Sequence, residues 1–218
     1  CVTPVGDQGC NVGRLAALEA GFPISVTGVQ INRMCGSSQQ AIHFAAMGVA
    51  SGFQDVVVAG GIESMSRIPM GSDMFLNGEP ATLSEELSWR FSIIPQGQSA
   101  ELVANKYGLT RDELDQVSYE SHRRAAAAHD AGLLAGEIAP VKLAAGVHDR
   151  DEGVRRDTSL EKLSGLRPVF REDGVITAGS SSQISDGAAA VMLASEEAVR
   201  RYNLTPRARI VSMAVAGV

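Results

Sequence analysis

The sequence has few aromatic residues and no long apolar run. Aromatic residues make up 5% of the 218 residues although 44% are hydrophobic, so we expect a core of aliphatic side chains. The longest apolar stretches, such as residues 56–61 and 188–194, are much shorter than the about 20 residues of a membrane-spanning helix. The composition therefore predicts a globular protein of one substantial or two small domains, without a membrane span.

Cysteine is scarce, and no block of basic residues is present. The three cysteines, Cys1, Cys10 and Cys35, lack a Cys-x-x-Cys spacing, which argues against a disulfide framework and against a zinc site. We therefore expect no metal and a reducing compartment such as the cytoplasm. The formal net charge of −6 comes from interleaved acidic and basic residues, which argues against nucleic acid or an anionic membrane surface as the main partner.

A start methionine is also missing. The chain begins at Cys1 with a Cys-Val-Thr run that resembles a strand already under way, so we expect it to be a piece of a longer polypeptide. A targeting signal before Cys1 would not be visible in such a piece. The sequence therefore leaves an organellar location open.

The first part of the chain alternates between helix and strand patterns. Asn11 is a favourable N-cap for a predicted helix over residues 11–20, and the alternation of residues 24–31 predicts a strand. A helix is predicted after Cys35, followed by an apolar strand at 55–59 that we expect to be covered on both faces. Strand, helix and strand in this order predict a right-handed crossover between parallel strands.

The middle of the chain has a different character. Residues 67–173 are more polar and predict helices and irregular segments, as an inserted domain would. The capping box of Thr110 and Glu113 predicts the start of a helix. A second capping box, of Thr158 and Glu161, predicts a shorter helix further along.

Strand patterns return towards the end of the chain. Residues 188–194 predict a buried strand, and Ser195 is a favourable N-cap for the helix that follows. Residues 209–216 predict one more strand. Together with the first part of the chain, these patterns predict an α/β fold.

Cys35 is the strongest candidate for a reactive group. It lies where a predicted strand ends and a predicted helix begins, before Gly36. The unpaired N–H groups and the dipole of a helix N-terminus favour the thiolate form and can stabilise an oxyanion. Gly36 would let an acyl group approach the backbone, and the N–H of Cys35 itself could form half of an oxyanion hole. The alternative is a buried and inert cysteine.

Four sequence segments, in matching order and spacing, closely resemble the thiolases, the acetyl-CoA acyltransferases. They are residues 32–41 (NRMCGSSQQA), 57–66 (VVAGGIESMS), 166–170 (LRPVF), and 177–190, which begins with TAG and ends with SDGAAA. The resemblance extends through the whole chain, which is similar to the N-terminal half of a thiolase. It implies a thiolase-like fold, in which a mixed β-sheet is layered with helices and a mostly helical loop domain is inserted.

The resemblance also implies domain bounds. Residues 1–66 and 174–203 would form the N-terminal thiolase domain, and residues 67–173 the inserted CoA-binding loop domain. Residues 204–218 would begin a C-terminal thiolase domain that is otherwise absent from the sequence. Segment 94–101 (IPQGQSAE) resembles the longer-chain degradative thiolases more than the acetyl-specific ones.

The activity that the resemblance implies is acyl transfer in fatty acid metabolism by a ping-pong mechanism. Cys35 would accept the acyl group as a thioester, and acyl-CoA and CoA would be the substrates, without a covalently bound cofactor. Arg167 would lie near the nucleotide end of CoA, and Ser195 would bond the pantetheine amide. A solvated Arg167 and a purely capping Ser195 are the structural alternatives. Pairing of strand 24–31 with its twin would give a homodimer or homotetramer.

Three thiolase segments are missing from the sequence: Asn-Glu-Ala, the Gly-His-Pro that carries the activating histidine, and Cys-x-Gly. None of the four histidines has such a context, and we interpret them as packing or surface residues; they are His43, His122, His129 and His148. Glu63 is interpreted as a carboxylate that braces the site. We therefore expect residues 1–218 alone to be inactive. The open alternatives are a ketoacyl synthase-like condensing enzyme and a non-catalytic acyl-CoA-binding module.

Overall fold

The structure is a computed structural model that describes residues 1–217. It contains two compact units: Cys1–Thr82 with the chain from Ile184 onward, and Leu83–Gln183. The second unit is therefore inserted in the sequence of the first, although its bounds differ from the 67–173 expected for the loop domain. Among residues 1–217, no helix combines the length and the apolar character that crossing a membrane requires.

The described residues form seven helices and six strands. The helices are α1 (Val12–Glu19), α2 (Ser37–Ala50), α3 (Glu85–Arg90), α4 (Gln96–Tyr107), α5 (Arg111–Asp130), α6 (Leu160–Ser164) and α7 (Glu196–Arg201). The strands are β1 (Val56–Ser64), β2 (Phe75–Leu76), β3 (Glu79–Pro80), β4 (Val141–Leu143), β5 (Gly146–His148) and β6 (Asp186–Ala194). Single 3₁₀ turns lie at Gly6–Gln8, Ser72–Met74 and Ala178–Ser180.

The centre of the first unit is an antiparallel ribbon of β1 and β6. Its register runs from Val56 opposite Ala194 to Ser64 opposite Asp186 without a bulge. Helix α2 packs on both strands, and α7 packs on β6. The ribbon therefore fixes the position of α2, whose first turn follows Cys35.

Two helix predictions in this unit are confirmed. Asn11 caps α1 by accepting a hydrogen bond from the N–H of Arg14 at 3.3 Å. Ser195 caps α7 by accepting one from the N–H of Ala198 at 3.1 Å. Both caps depend on residues three positions apart, which is why a local pattern was sufficient to predict them.

Two strand predictions are wrong for the described residues. Segments 24–31 and 209–216 form no strand, and the side chains of Ile24 and Val211 are 85% and 89% exposed. β1 pairs only with the antiparallel strand β6, so the predicted parallel crossover is not formed within residues 1–217. The strand predicted to be buried at 188–194 belongs to β6, and most of its residues are exposed. An alternating pattern predicts only the capacity for pairing, whereas a strand requires a hydrogen-bonded neighbour.

In the second unit, the capping box of Thr110 and Glu113 is confirmed at the start of α5. The second capping prediction is wrong by one residue: Ser159, not Thr158, caps α6 by accepting from the N–H of Lys162 at 3.2 Å. Adjacent hydroxyl residues offer the same chemistry, and the backbone direction decides between them.

Glu101 of α4 fixes the segment that ends at the TAG motif. Its side chain is 3% exposed, and its two carboxylate oxygens accept from the N–H groups of Val175 and Ile176 at 3.0 and 2.9 Å. A Cβ at Gly174 would lie 2.2 Å from the carboxylate, so only glycine fits there. A buried carboxylate requires such hydrogen bonds, and this one orders residues 174–176 on α4.

Candidate active site

Cys35 lies in an exposed turn immediately before α2. Its side chain is exposed, Gly36 occupies the N-cap position, and α2 begins at Ser37. Met34 has a left-handed backbone with φ of 50°, and its N–H donates to Oδ1 of Asn32 at 2.8 Å. The thiol therefore lies at the N-terminus of a long helix, where the sequence predicted it.

Two of the three N–H groups at Cys35, Gly36 and Ser37 are hydrogen-bonded within the turn, and the third is free within the part of the chain that the structure describes. The N–H of Gly36 donates to the carbonyl of Arg33, and the N–H of Ser37 donates to the carbonyl of Met34, both at 3.0 Å. The N–H of Cys35 itself makes no hydrogen bond within residues 1–217. The turn thus uses two of the expected donors and leaves free the one predicted for the oxyanion hole.

Gly61 of β1 allows the first turn of α2 to approach the ribbon closely. A Cβ at this position would lie 1.8 Å from Oγ of Ser38 and 3.0 Å from its Cβ. Both distances are shorter than van der Waals contact, so a side chain here would require Ser38 to rotate and its Cβ to move by a few tenths of an ångström. The sequence shows only a Gly-Gly pair in a strand, which is a pattern that indicates close approach of another backbone. The structure identifies that neighbour as the first turn of α2.

Glu63 braces the end of β1 against the start of the chain. Its carboxylate accepts from the N–H groups of Val2 and Thr3 and from Nε2 of Gln8, the last at 2.9 Å. Burial raises the pKa of Glu63, but these hydrogen bonds together hold it below its ordinary value. Gln8, 3% exposed, also accepts from the N–H of Ser64 at 2.7 Å. These contacts make Glu63 a structural brace.

The hydroxyl of Ser195 makes two hydrogen bonds inside its own unit. Besides accepting from Ala198, it donates to Oδ1 of Asp55 at 3.0 Å, and its N–H donates to the carbonyl of Asp55 at 2.8 Å. The capping role is therefore observed. A contact with CoA stays a prediction.

Arg167 belongs to the second unit, whereas Cys35 and Ser195 belong to the first. Its side chain is exposed and makes no hydrogen bond or ion pair among the described residues. The following residues are fixed, because the N–H of Val169 donates to the carbonyl of Ile176 at 3.0 Å. The LRPVF and TAG segments are thus neighbours, and a guanidinium without a protein partner projects beside them.

The four histidines have no arrangement typical of a catalytic base. His43 on α2 is buried, and its Nδ1 has no partner within residues 1–217. Nδ1 of His122 accepts from the N–H of Arg155, Nε2 of His129 lies 3.1 Å from Asp151, and His148 lies 4.0 Å from Glu152. No cluster of three or more metal-ligating side chains is found in the described part of the chain.

The family description "Thiolase, N-terminal domain" matches residues 1–197. The chain belongs to the thiolase family. Among its relatives, the steroid 3-ketoacyl-CoA thiolase FadA6 of Mycobacterium tuberculosis is 46% identical over an alignment of 217 positions that covers 96% of this chain and 53% of that protein. The 3-oxoadipyl-CoA/3-oxo-5,6-dehydrosuberyl-CoA thiolase of Escherichia coli is 43% identical over 235 aligned residues, covering all of this chain and 59% of that protein.

Solved thiolase structures have the same fold. Human mitochondrial 3-ketoacyl-CoA thiolase in complex with CoA superposes with a TM-score of 0.80 at 34% identity, covering 94% of this chain and 54% of that one. An acetyl-CoA acetyltransferase of Syntrophomonas wolfei gives the same TM-score at 29% identity, again covering 94% of this chain and 54% of the other. The thiolase-like α/β fold is therefore confirmed. The chain spans somewhat more than half the length of the relatives that it matches.

Proposed function

We propose that the natural protein is a thiolase that transfers an acyl group between Cys35 and CoA. The reaction is thiolysis of a 3-ketoacyl-CoA or its reverse, the Claisen condensation of acetyl-CoA, by a ping-pong mechanism. The observation that supports this most directly is the exposed Cys35, with a free N–H of its own, at the start of α2 in a member of the thiolase family.

In the first half-reaction the Cys35 thiolate attacks the 3-keto carbon, and the N–H of Cys35 donates to the oxyanion that forms. The bond between C2 and C3 then breaks, which leaves the acyl group as a thioester on Cys35. The electron pair remains on C2 of acetyl-CoA, which takes up a proton. In the second half-reaction the thiol of CoA loses its proton, attacks this thioester and releases the shortened acyl-CoA, and Cys35 returns to the thiolate. This second half-reaction exchanges one thioester for another, which changes the free energy little.

The proposal assigns CoA to Arg167 and Ser195. Arg167 has the better support, because its guanidinium is exposed and has no partner among residues 1–217, as a group that meets adenine or phosphate requires. The hydroxyl of Ser195 already donates to Asp55 and accepts from Ala198. An N–H of the pantetheine amide would therefore donate to the remaining lone pair of the hydroxyl, whereas an amide carbonyl would have to replace the bond to Asp55.

Incubation of the natural protein with CoA and 3-ketoacyl-CoAs of increasing chain length tests the proposal. We expect acetyl-CoA and the acyl-CoA shortened by two carbons in equal amounts, measured by liquid chromatography with mass spectrometry. A ketoacyl synthase-like enzyme would require an acyl carrier protein in place of CoA. A non-catalytic module would bind acyl-CoA and leave it unchanged.

We further propose that the natural protein is a homodimer or homotetramer of the cytoplasm, in which segment 24–31 pairs with its copy. The segment forms no strand, and Ile24 and Val29 are 85% and 75% exposed. Side chains of Asn11 and Arg14 already bond three of its carbonyls, so pairing would satisfy the backbone groups that remain and cover the exposed side chains. Val29→Lys should shift the protein towards monomer in light scattering, whereas Phe53→Lys, at an 88% exposed side chain beyond the segment, should not. An unchanged dimer in Val29→Lys would contradict this pairing.

A further inference from the structure

We propose that Ser37 and Arg33 are positioning residues that orient the N–H of Cys35 towards the oxyanion of the reaction. This inference rests on the proposed function, because only acyl transfer gives that N–H a charge to stabilise. The two residues lie on opposite sides of Cys35 in the chain, and the side chain of each bonds to a residue on the other side of the turn.

The hydroxyl of Ser37 acts on the peptide group that includes the Cys35 N–H. Oγ of Ser37 is buried and donates to the carbonyl of Met34 at 2.6 Å, where the N–H of Ser37 also donates. The carbonyl of Met34 and the N–H of Cys35 belong to one trans peptide group and point in opposite directions. Two bonds that hold the carbonyl towards α2 therefore turn the N–H of Cys35 away from the helix, where it makes no bond within residues 1–217.

The orientation of this peptide requires support because the backbone of Met34 is left-handed, with φ of 50°. That conformation costs about 1–2 kcal/mol per residue outside glycine. Oγ of Ser37 adds a second constraint by accepting from the N–H of Arg33 at 2.9 Å. A single buried hydroxyl thus links the residue before the turn to the carbonyl inside it.

The side chain of Arg33 closes the turn from the other side. Its guanidinium donates to Oε1 of Gln40, a buried residue in the second turn of α2. Its Cγ and Cδ pass 3.9 and 3.8 Å from the position of a Cβ on Gly36. The side chain of Arg33 therefore joins the residue before the turn to α2, and we infer that it restricts the turn through this bond.

Two chemical probes of Cys35 separate positioning from general damage. Acylation by the 3-ketoacyl-CoA that the wild type converts fastest develops an oxyanion, whereas alkylation by iodoacetamide requires only the thiolate. In the natural protein, Ser37→Ala should lower the acylation rate constant at saturating substrate about ten- to hundredfold, since loss of a whole oxyanion-hole donor costs about 10² to 10³. We expect the alkylation rate and KM to change by less than about threefold, and Ser37→Thr, which keeps the hydroxyl, to restore most of the acylation rate.

The matched control is Ser51→Ala at the other end of α2. This change removes a hydrogen bond of the same kind, from Oγ of Ser51 to the carbonyl of Gly48. It should leave the acylation rate and the alkylation rate unchanged. Arg33→Met leaves Ser37 intact and should lower acylation in the same selective way even if Ser37→Ala fails to fold. Equal losses of acylation and alkylation, or no loss of acylation, would overturn the inference. A wild type that alkylates but never forms an acyl-enzyme would overturn the proposed function and the inference with it.

Discussion

Replacing Cys35 with alanine should abolish the acyl-enzyme of the natural protein and lower kcat on the order of 10⁴-fold or more, as loss of a covalent nucleophile does in other enzymes. The effect should be this large because no neighbouring residue at the start of α2 carries a thiol that could replace Cys35. The backbone N–H of Cys35 is also free of other hydrogen bonds within residues 1–217. The measurement is intact-protein mass spectrometry after mixing with 3-ketoacyl-CoA. The wild type should gain the mass of one acyl group, and Cys35→Ala should gain none.

Cys10 provides the matched control, because it is also a free and exposed cysteine of the first unit. It lies before α1, away from the turn that precedes α2. Cys10→Ala should therefore form the acyl-enzyme like the wild type. A thioester that persists in Cys35→Ala and disappears in Cys10→Ala would contradict the assignment of the nucleophile.

The features that the sequence predicted correctly depend on residues close together in the chain. The caps at Asn11, Thr110 and Ser195 follow from side chains three positions from the N–H groups they bond, and the helix after Cys35 follows from apolar residues at helical spacing. The position of Cys35 before a helix is local in the same sense. Local geometry therefore made the central residue of the candidate site predictable before any contact was known.

The features that the sequence missed depend on distant residues. The antiparallel partner of β1 lies more than a hundred residues further along, and the pattern of 24–31 gave no indication that a partner is lacking within the chain. The bond from Ser195 to Asp55 joins residues 140 positions apart. The role of Ser37 could not be predicted, because nothing in the sequence distinguishes a buried hydroxyl that orients a peptide from one that caps a helix.

Gly61 connects this long-range packing to the site, and Gly61→Ala should lower both the stability of the protein and the acylation rate of Cys35. The new Cβ would lie 1.8 Å from Oγ of Ser38 and 3.0 Å from its Cβ. Ser38 has to rotate, and the first turn of α2 has to move away from β1. Overpacking of this kind costs about 1–3 kcal/mol. We expect the free energy of unfolding to fall by about 2 kcal/mol and the acylation of Cys35 to slow at least tenfold, since misplacement of reacting groups by about 1 Å costs about a hundredfold.

A double-mutant cycle with Ser38→Ala distinguishes this contact from a general weakness of the ribbon. Removing Oγ of Ser38 relieves the closer of the two clashes, so the pair Gly61→Ala and Ser38→Ala should recover part of the lost stability, with an interaction energy of about 0.5–3 kcal/mol. Gly187→Ala is the control on the same ribbon: its Cβ would meet nothing within 4 Å, and such a change at a compatible backbone stabilises by about 0.4–1 kcal/mol. Chemical denaturation of the four variants gives both quantities. If Gly61→Ala and Gly187→Ala were equally stable, or if Ser38→Ala gave no recovery, α2 would not rest on β1 through Gly61, and the position of Cys35 would depend on the turn at 32–37 alone.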